Sequence, residues 1–227
     1  MQKMIIAIDG YAATGKSSLA KRLAKTLQFK YIDTGAMYRA ITYFALQQEP
    51  KGSVHEKQLI AALDQIKLHF ELTTSGQEVS LNGVNINKEI RQSDVTSEVS
   101  NVAKIPEVRA VLVAQQQAMG IEKGIIMDGR DIGTVVFPNA ECKFFLTATP
   151  EVRAKRRHLE QMDQGIHESY EDVLDNIQTR DLIDSTRETA PLRKASDAIE
   201  IDVSDMTLEE VYQKIWSYIL KKQSKTS

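Results

Sequence analysis

Gly10-Tyr11-Ala12-Ala13-Thr14-Gly15-Lys16-Ser17 is the stretch from which the rest of the chain is read. Its spacing is G-x-x-x-x-G-K-[ST], and it directly follows an apolar run, Met4-Ile5-Ile6-Ala7-Ile8, with the character of a buried strand. After it, Leu19, Ala20, Leu23, Ala24 and Leu27 recur at helical spacing, while Lys21, Arg22 and Lys25 take the other face. An ordinary strand-to-helix turn would also tolerate two glycines. Strand, glycine loop and helix together, however, are the setting in which backbone N–H groups and a positive helix end cradle phosphate oxygens. On this reading the loop from Gly10 to Ser18 binds a nucleoside triphosphate. Lys16 reaches the terminal phosphates, and the Ser17 hydroxyl ligates Mg²⁺.

Further short apolar runs follow at Tyr31-Ile32, Ile125-Ile126-Met127, Lys143 to Thr147 and Ala198 to Ile201. Helical patterns separate most of them: Ala36 to Leu46, Pro106 to Met119, a charged helix opened by Pro150, and Thr207 to Leu220 with Thr207 as its N-cap. Strands alternating with helices predict right-handed βαβ units and a doubly wound parallel α/β sheet. Between about Gln65 and Asn87 the apolar period drops to two (Ile66, Leu68, Phe70, Leu72; Val79, Leu81; Val84, Ile86), with Ser75-Gly76 and Asn82-Gly83 between the runs. Asn-Gly is a strong hairpin signal, so a small antiparallel sheet is expected as an insertion. It reads either as decoration or as a cover over a second substrate, and the phosphate loop favours the cover, because kinases must exclude water from the reacting phosphate. The tail Lys221-Lys222-Gln223-Ser224-Lys225 reads as solvated and frayed.

With 227 residues, 42% hydrophobic and 26% charged, the chain can bury a substantial core. A net charge of −2 gives no bulk attraction to nucleic acid or a membrane surface, so phosphate binding must come from local clusters. The single cysteine, Cys142, excludes an internal disulfide and a Cys-based zinc site. Met4 to Ile8 is too short for a signal peptide, and no segment approaches the ~18 apolar residues of a membrane span. A soluble, cytoplasmic protein, working as a monomer, is the expectation.

Three more clusters narrow the chemistry. Asp33-Thr34-Gly35-Ala36-Met37-Tyr38-Arg39 ends a strand and starts a helix, where a hydroxyl and a helix N-terminus suit an anion. Asp128-Gly129-Arg130-Asp131-Ile132-Gly133-Thr134 follows another strand, and an aspartate at that carboxyl end is placed to hold a Mg²⁺ shell. Arg130 and Asp131 read either as a neutralised surface pair or as site residues, and their strand-end position favours the site. Arg180, Asp184 and Arg187 share one helix face, as a surface ion-pair ladder or as a binding face. Arg153, Arg156 and Arg157 after Pro150 read as a solvated face or as a mobile lid carrying guanidinium groups to a transferring phosphate.

Taken in order, the runs IIAIDGYAATGKSS, DTGAMYRA, SNVAKIPEVR, DGRDIGTVVFP and RDLIDSTRETAPL resemble the bacterial cytidylate kinase family, among the P-loop nucleoside monophosphate kinases, over nearly the whole chain. The resemblance implies a five-stranded parallel core, an insertion binding the nucleoside monophosphate (residues 62–95), a short lid (153–187), and transfer of the γ-phosphoryl of ATP to CMP or dCMP with Mg²⁺. Arg39 and Arg130, helped by Thr34, are implied as clamps on the acceptor phosphate. Ser100, Arg109 and Asp131 are implied as the cytosine pocket, and Arg180 and Asp184 as the ribose site with Arg187 close by. Arg153 and Arg157 are implied on the donor side, with Lys16, Arg39, Arg130 and Arg157 as the catalytic set. Two departures stand out: Tyr11 replaces a common proline, and Thr34 a common serine. Rival readings are a kinase of the same fold with another acceptor, or a nucleotide switch. The sequence has no [NT]-K-x-D guanine-reading motif, which argues against a GTPase.

Overall fold

The computed structural model describes residues 2–48, 54–73 and 76–224. Five parallel strands form the main sheet in the order β2 (Lys30–Asp33), β6 (Ile125–Gly129), β1 (Ile5–Gly10), β7 (Cys142–Thr147) and β8 (Ile199–Asp202). The central strand β1 is buried along its whole length, as its uninterrupted apolar run requires. Alternate residues of β1 feed opposite layers. Ile6 and Ile8 pack with Leu19 and Leu23 of α1 (Lys16–Leu27) and Ile215 and Ile219 of α8 (Leu208–Ser224). Ile5 and Ala7 pack with Met127, Ile132 and Val136 on the other face. The sheet is therefore doubly wound, with every strand's carboxyl end on one edge.

The remaining helices are α2 (Thr34–Gln47), α3 (Glu56–Ala62), α4 (Ser93–Ala103), α5 (Pro106–Met119), α6 (Pro150–Asp163) and α7 (Tyr170–Thr186). Pro106 and Pro150 each stand in the first turn of a helix, where the missing N–H costs nothing. The sequence pattern does not anticipate α3 and α4, and marks only the C-terminal end of α7. Helix α8 runs through Ser224, so the frayed tail expected from Lys221 is corrected; Lys225 lies outside the described residues. Lys221 and Lys222 in the last turn suit the negative helix end. At the other end Thr207 and Glu210 cap each other reciprocally: Glu210 N donates to Thr207 Oγ1 at 3.3 Å and Thr207 N to Glu210 Oε2 at 2.8 Å.

The period-two stretch forms a separate antiparallel sheet of β3 (Leu68–Thr73), β4 (Gly76–Leu81) and β5 (Val84–Asn85). Asn82 (φ 50°) and Gly83 (φ 84°) make the turn with two positive φ values that Asn-Gly predicts. Ser75, in the other expected turn, lies outside the described residues. Val79, Leu81 and Ile86 join a core cluster with Ile41 and Phe44 of α2 and Val102 of α4. Buried Cys142 has its thiol 3.9 Å from Met4 Sδ. No helix among the described residues is long and apolar enough to cross a membrane.

Candidate active site

The loop between β1 and α1 is shaped by three positive-φ residues, Gly10 (141°), Ala13 (58°) and Gly15 (84°). Gly10 tolerates no side chain, because a Cβ there would lie 2.0 Å from the carbonyl oxygen of Leu146 in β7. Gly15 caps α1 without a side-chain bond, leaving the first amides of that helix open to an anion. The Lys16 ammonium folds back into this loop, donating to the Tyr11 carbonyl and, at 3.3 Å, to Thr14 Oγ1. Its pKa falls to about 7, first through burial and then through Arg130 and Arg153, against Asp128 and Asp9. A cavity of about 320 Å³ opens beside the loop, lined among others by Thr14, Ser18, Leu146, Arg156, Val203 and Met206.

Asp128 at the end of β6 faces the loop. Its Oδ2 accepts from Ser17 Oγ at 2.8 Å and its Oδ1 from Tyr31 OH at 2.8 Å. Burial raises its pKa to about 6, with Asp33 adding to the rise and Lys16 opposing it. From the sequence, Tyr31 in β2 reads only as part of an apolar strand. Asp9 is likewise missed by sequence reasoning: its two oxygens accept the amides of Ile132 (2.8 Å) and Gly133 (2.7 Å), just after Arg130-Asp131. That buried carboxyl is pushed up to about 7, chiefly by desolvation against those amide bonds. No periodicity could flag it, since the pairing crosses from β1 to a wide turn 123 residues away.

At the start of α2, Asp33 caps the helix through Ala36 N (2.9 Å) and pairs with Arg39 Nη2 (3.0 Å). Gly35 leaves room for this, since a Cβ there would sit 2.8 Å from Arg39 Nη1. Burial raises the Asp33 pKa, but Arg39 and the Ala36 amide outweigh it and hold it below the usual range. Thr34 is buried, and its hydroxyl proton is spent on the Asp128 carbonyl at 2.7 Å. In this arrangement its oxygen lone pairs, not its proton, face away from that bond.

Arginines from three elements converge beyond the loop. Arg130 Nε donates to Asp184 Oδ2 at 3.0 Å. Arg180 is lowered to about 10 by burial and then by Arg130, with Arg39 and Arg157 adding repulsion and Asp184 opposing it. Arg39 Nε and Arg180 Nε are buried without a hydrogen-bond partner. The ladder that Arg180, Asp184 and Arg187 also suggested is not a surface one: Asp184 is buried, accepts from Arg130 and lies 4.0 Å from Arg187 Nη1. Like charges held together with unspent donors make a site for a multiply charged anion. Arg157, on α6, is half-buried, with Nη1 3.3 Å from Glu160 Oε2.

Asp131 and Arg109 lie deeper. Arg109 Nη2 donates to Asp131 Oδ2, and Arg109 Nη1 to the Ala103 carbonyl at 3.2 Å. Arg187 Nη2 stands 3.7 Å from Asp131 Oδ1, which has no hydrogen bond among the described residues. Desolvation raises the Asp131 pKa against the pull of Arg109 and Arg187. The Arg109 guanidinium lies 5.6 Å from the Tyr38 ring centroid, and Ser100 of α4 is buried. Arg153 departs from expectation. At 2% exposure it is enclosed, with Nε on the Ala148 carbonyl (2.9 Å) and both Nη atoms on Asp181 (3.1 and 2.5 Å). With each of its three nitrogens bonded to protein, it is a strut rather than a mobile lid arginine.

A sequence profile described as cytidylate kinase matches residues 6–221. Cytidylate kinase of Parabacteroides distasonis is 54% identical over 220 residues, 95% of each chain. That of Flavobacterium johnsoniae is 52% identical over 219 residues, again 95% of each. Anoxybacillus flavithermus cytidylate kinase is 52% identical over 215 residues, 94% of this chain and 95% of that one. In fold alone, the crystal structure of an uncharacterized protein from Eubacterium ventriosum is similar, with a TM-score of 0.52 at 13% identity over 97% of this chain and 99% of that one. A glycine loop facing a convergence of buried arginines, a profile match over almost the whole length and relatives near half identical lead to one conclusion: the chain belongs to the cytidylate kinase family.

Proposed function

We propose that the chain is a nucleoside monophosphate kinase that transfers the γ-phosphoryl of ATP to CMP or dCMP, giving CDP or dCDP and ADP. The observation that carries this reading is the second anion site. Arg39 and Arg180 bring unspent Nε donors to it beside Arg130, and a buried Arg109–Asp131 pair stands behind them. A switch protein has no use for such a site. Lys16 leaves the Tyr11 carbonyl for the donor phosphates, and the cavity beside Thr14, Ser18 and Arg156 takes the donor's base. Arg39 and Arg130 hold the acceptor phosphate in line, and half-exposed Arg157 is the lid arginine free to reach the moving phosphoryl.

Ser17 and Asp128 fit Mg²⁺: one hydroxyl and one carboxylate leave most of an octahedral shell to water and phosphate oxygens. Among the described residues no cluster of three acidic, His or Cys side chains competes as a metal cage. When bound, the ion neutralises charge on the donor phosphates. No general base is required, because the attacking group is already an anionic phosphate oxygen. On this reading the chain works as a cytoplasmic monomer on small nucleotides. Residues 62–95 act as the acceptor cover; the lid expected over 153–187 is anchored at Arg153 and moves beyond it.

Turnover of AMP, CMP, dCMP, UMP and GMP with ATP tests the reading. CMP and dCMP should lead in kcat/KM, and Lys16→Ala should remove most turnover while leaving CMP binding intact. Preference for a purine monophosphate, or near wild-type kcat in Lys16→Ala, overturns it.

A further inference from the structure

The tip of the phosphate loop is not free. The Tyr11 ring centroid lies 5.0 Å from the Arg153 guanidinium, and its edge meets Phe145 of β7 at 6.1 Å and 79°. Arg153 is the largest fully buried side chain among the described residues, and its fork grips both oxygens of Asp181. Asp181 sits on α7 beside Arg180 and one turn before Asp184. A second contact runs in parallel: Ala13, at the positive-φ position of the loop, packs on Ala154 of α6 and Val173 and Ile177 of α7. The carbonyl of Tyr11 is meanwhile the resting partner of Lys16.

We infer that Tyr11, through Arg153 and Asp181, is a positioning residue that couples occupancy of the donor loop to the placement of α7, and so to the acceptor-side groups Arg180 and Asp184. The inference rests on the proposed kinase function and adds to it a path between the two nucleotide sites. Donor phosphates draw Lys16 off the Tyr11 carbonyl. The loop tip then resets against Arg153, and the planar fork passes the shift to α7 as a rigid element, because it cannot tilt without breaking its two-point grip on Asp181. A proline at position 11 has no ring face to stack on a guanidinium, so the coupling belongs to chains with an aromatic there. Arg153 fixes the root of α6, so lid motion is confined to residues past it.

Linkage makes the idea measurable. If the sites are coupled, a nonhydrolysable ATP analogue with Mg²⁺ raises CMP affinity by some factor, and CMP raises analogue affinity by the same factor. The factor is measured by titration calorimetry in wild type, Tyr11→Phe, Tyr11→Leu, Arg153→Lys and the Tyr11→Leu/Arg153→Lys pair. Leucine keeps apolar bulk against Phe145 but removes the aromatic face; phenylalanine keeps the face. We expect a wild-type factor of about fivefold or more, within the usual range for allosteric coupling. It should fall to below about twofold in Tyr11→Leu and Arg153→Lys, return in Tyr11→Phe, and fall no further in the double variant. CMP affinity without donor should change little in Tyr11→Leu. A factor near one in wild type, or an unchanged factor in Tyr11→Leu, overturns the coupling and leaves the stack as packing. Should Tyr11→Leu not fold, the factor in Arg153→Lys decides the question by the same threshold. The acceptor used is the one wild type phosphorylates, so failure of the function appears as absent CMP turnover, and failure of the coupling as an unmoved factor.

Discussion

Asp131 and Asp9 are both buried carboxyls pushed upward by desolvation, yet they do different work. Asp131 is held by Arg109 on one oxygen and keeps the other as an open acceptor. A carboxylate only accepts hydrogen bonds, so it favours the exocyclic amine of cytosine over the carbonyl that uracil presents there. In Asp131→Asn the amide either donates or accepts. The CMP-over-UMP ratio of kcat/KM should therefore fall at least about tenfold, from a lost hydrogen bond to a charged group on the order of 1.5–3 kcal/mol, with the KM for ATP nearly unchanged. Steady-state kinetics with both acceptors decides this, and an unmoved ratio shifts discrimination to Ser100 and Arg109. Asp9 instead braces the turn after Arg130-Asp131 through two amides. Its folded value of about 7 lies above the ordinary 3.8, so the folded chain keeps a proton that the unfolded chain releases between those values. Its contribution to stability is thus full at low pH and is lost as pH rises towards 7. Thermal melts from pH 4 to 8 should show wild type losing ground to Asp9→Asn over that interval; parallel profiles would remove Asp9 as the titrating group.

At the scale of elements, the small sheet is the piece with work still to do. Val79 and Leu81 of β4 tie it to α2, while Val84 of β5 remains exposed. With only one face committed and a turn of Asn82 and Gly83, it belongs to the low-stability end of the structure. Hydrogen exchange of residues 65–90 should slow when CMP binds, and identical protection with and without CMP would make the sheet decoration. Much of this element was legible beforehand. Period two predicts strands whatever surrounds them, and Asn-Gly fixes the turn geometry locally. Helix α4 was missed although Val95, Val99, Val102 and Ala103 stand at i, i+4, i+7 and i+8 and are all buried; the Ser, Thr and β-branched residues between Ser93 and Ala103 are weak helix formers that mask the period. Helix α7 shows in the sequence only near its end, because charged and apolar residues alternate along it too evenly to mark a face.

For the whole molecule, the proposed function puts two nucleotide sites at the carboxyl edge of one sheet, and filling both should stabilise the fold by mass action. At about a hundredfold excess over Kd, one ligand adds about 2.7 kcal/mol. A chain of this size gains roughly 2–4 °C per kcal/mol, so saturating CMP should raise Tm by about 5–10 °C. UMP and GMP at the same concentration should raise it less; equal shifts for all three would deny a selective acceptor site.

The sequence alone determined the parallel sheet, the phosphate loop, the inserted hairpin and the residue types of the active site. Each of those signals is local: a spacing, a period of two or 3.6, a dipeptide, a run of named residues. Only the tertiary structure decided which charges meet. Asp9 and Ile132 pair across 123 residues, Ser17 and Asp128 across 111, and Arg130 and Asp184 across 54. It also decided that Arg153 is enclosed rather than mobile and that Thr34 spends its proton on Asp128. Burial and pairing are properties of what surrounds a side chain once strands from distant parts of the chain lie about 4.7–4.9 Å apart. Spacing along the sequence shows which residues share an element, but not which elements become neighbours.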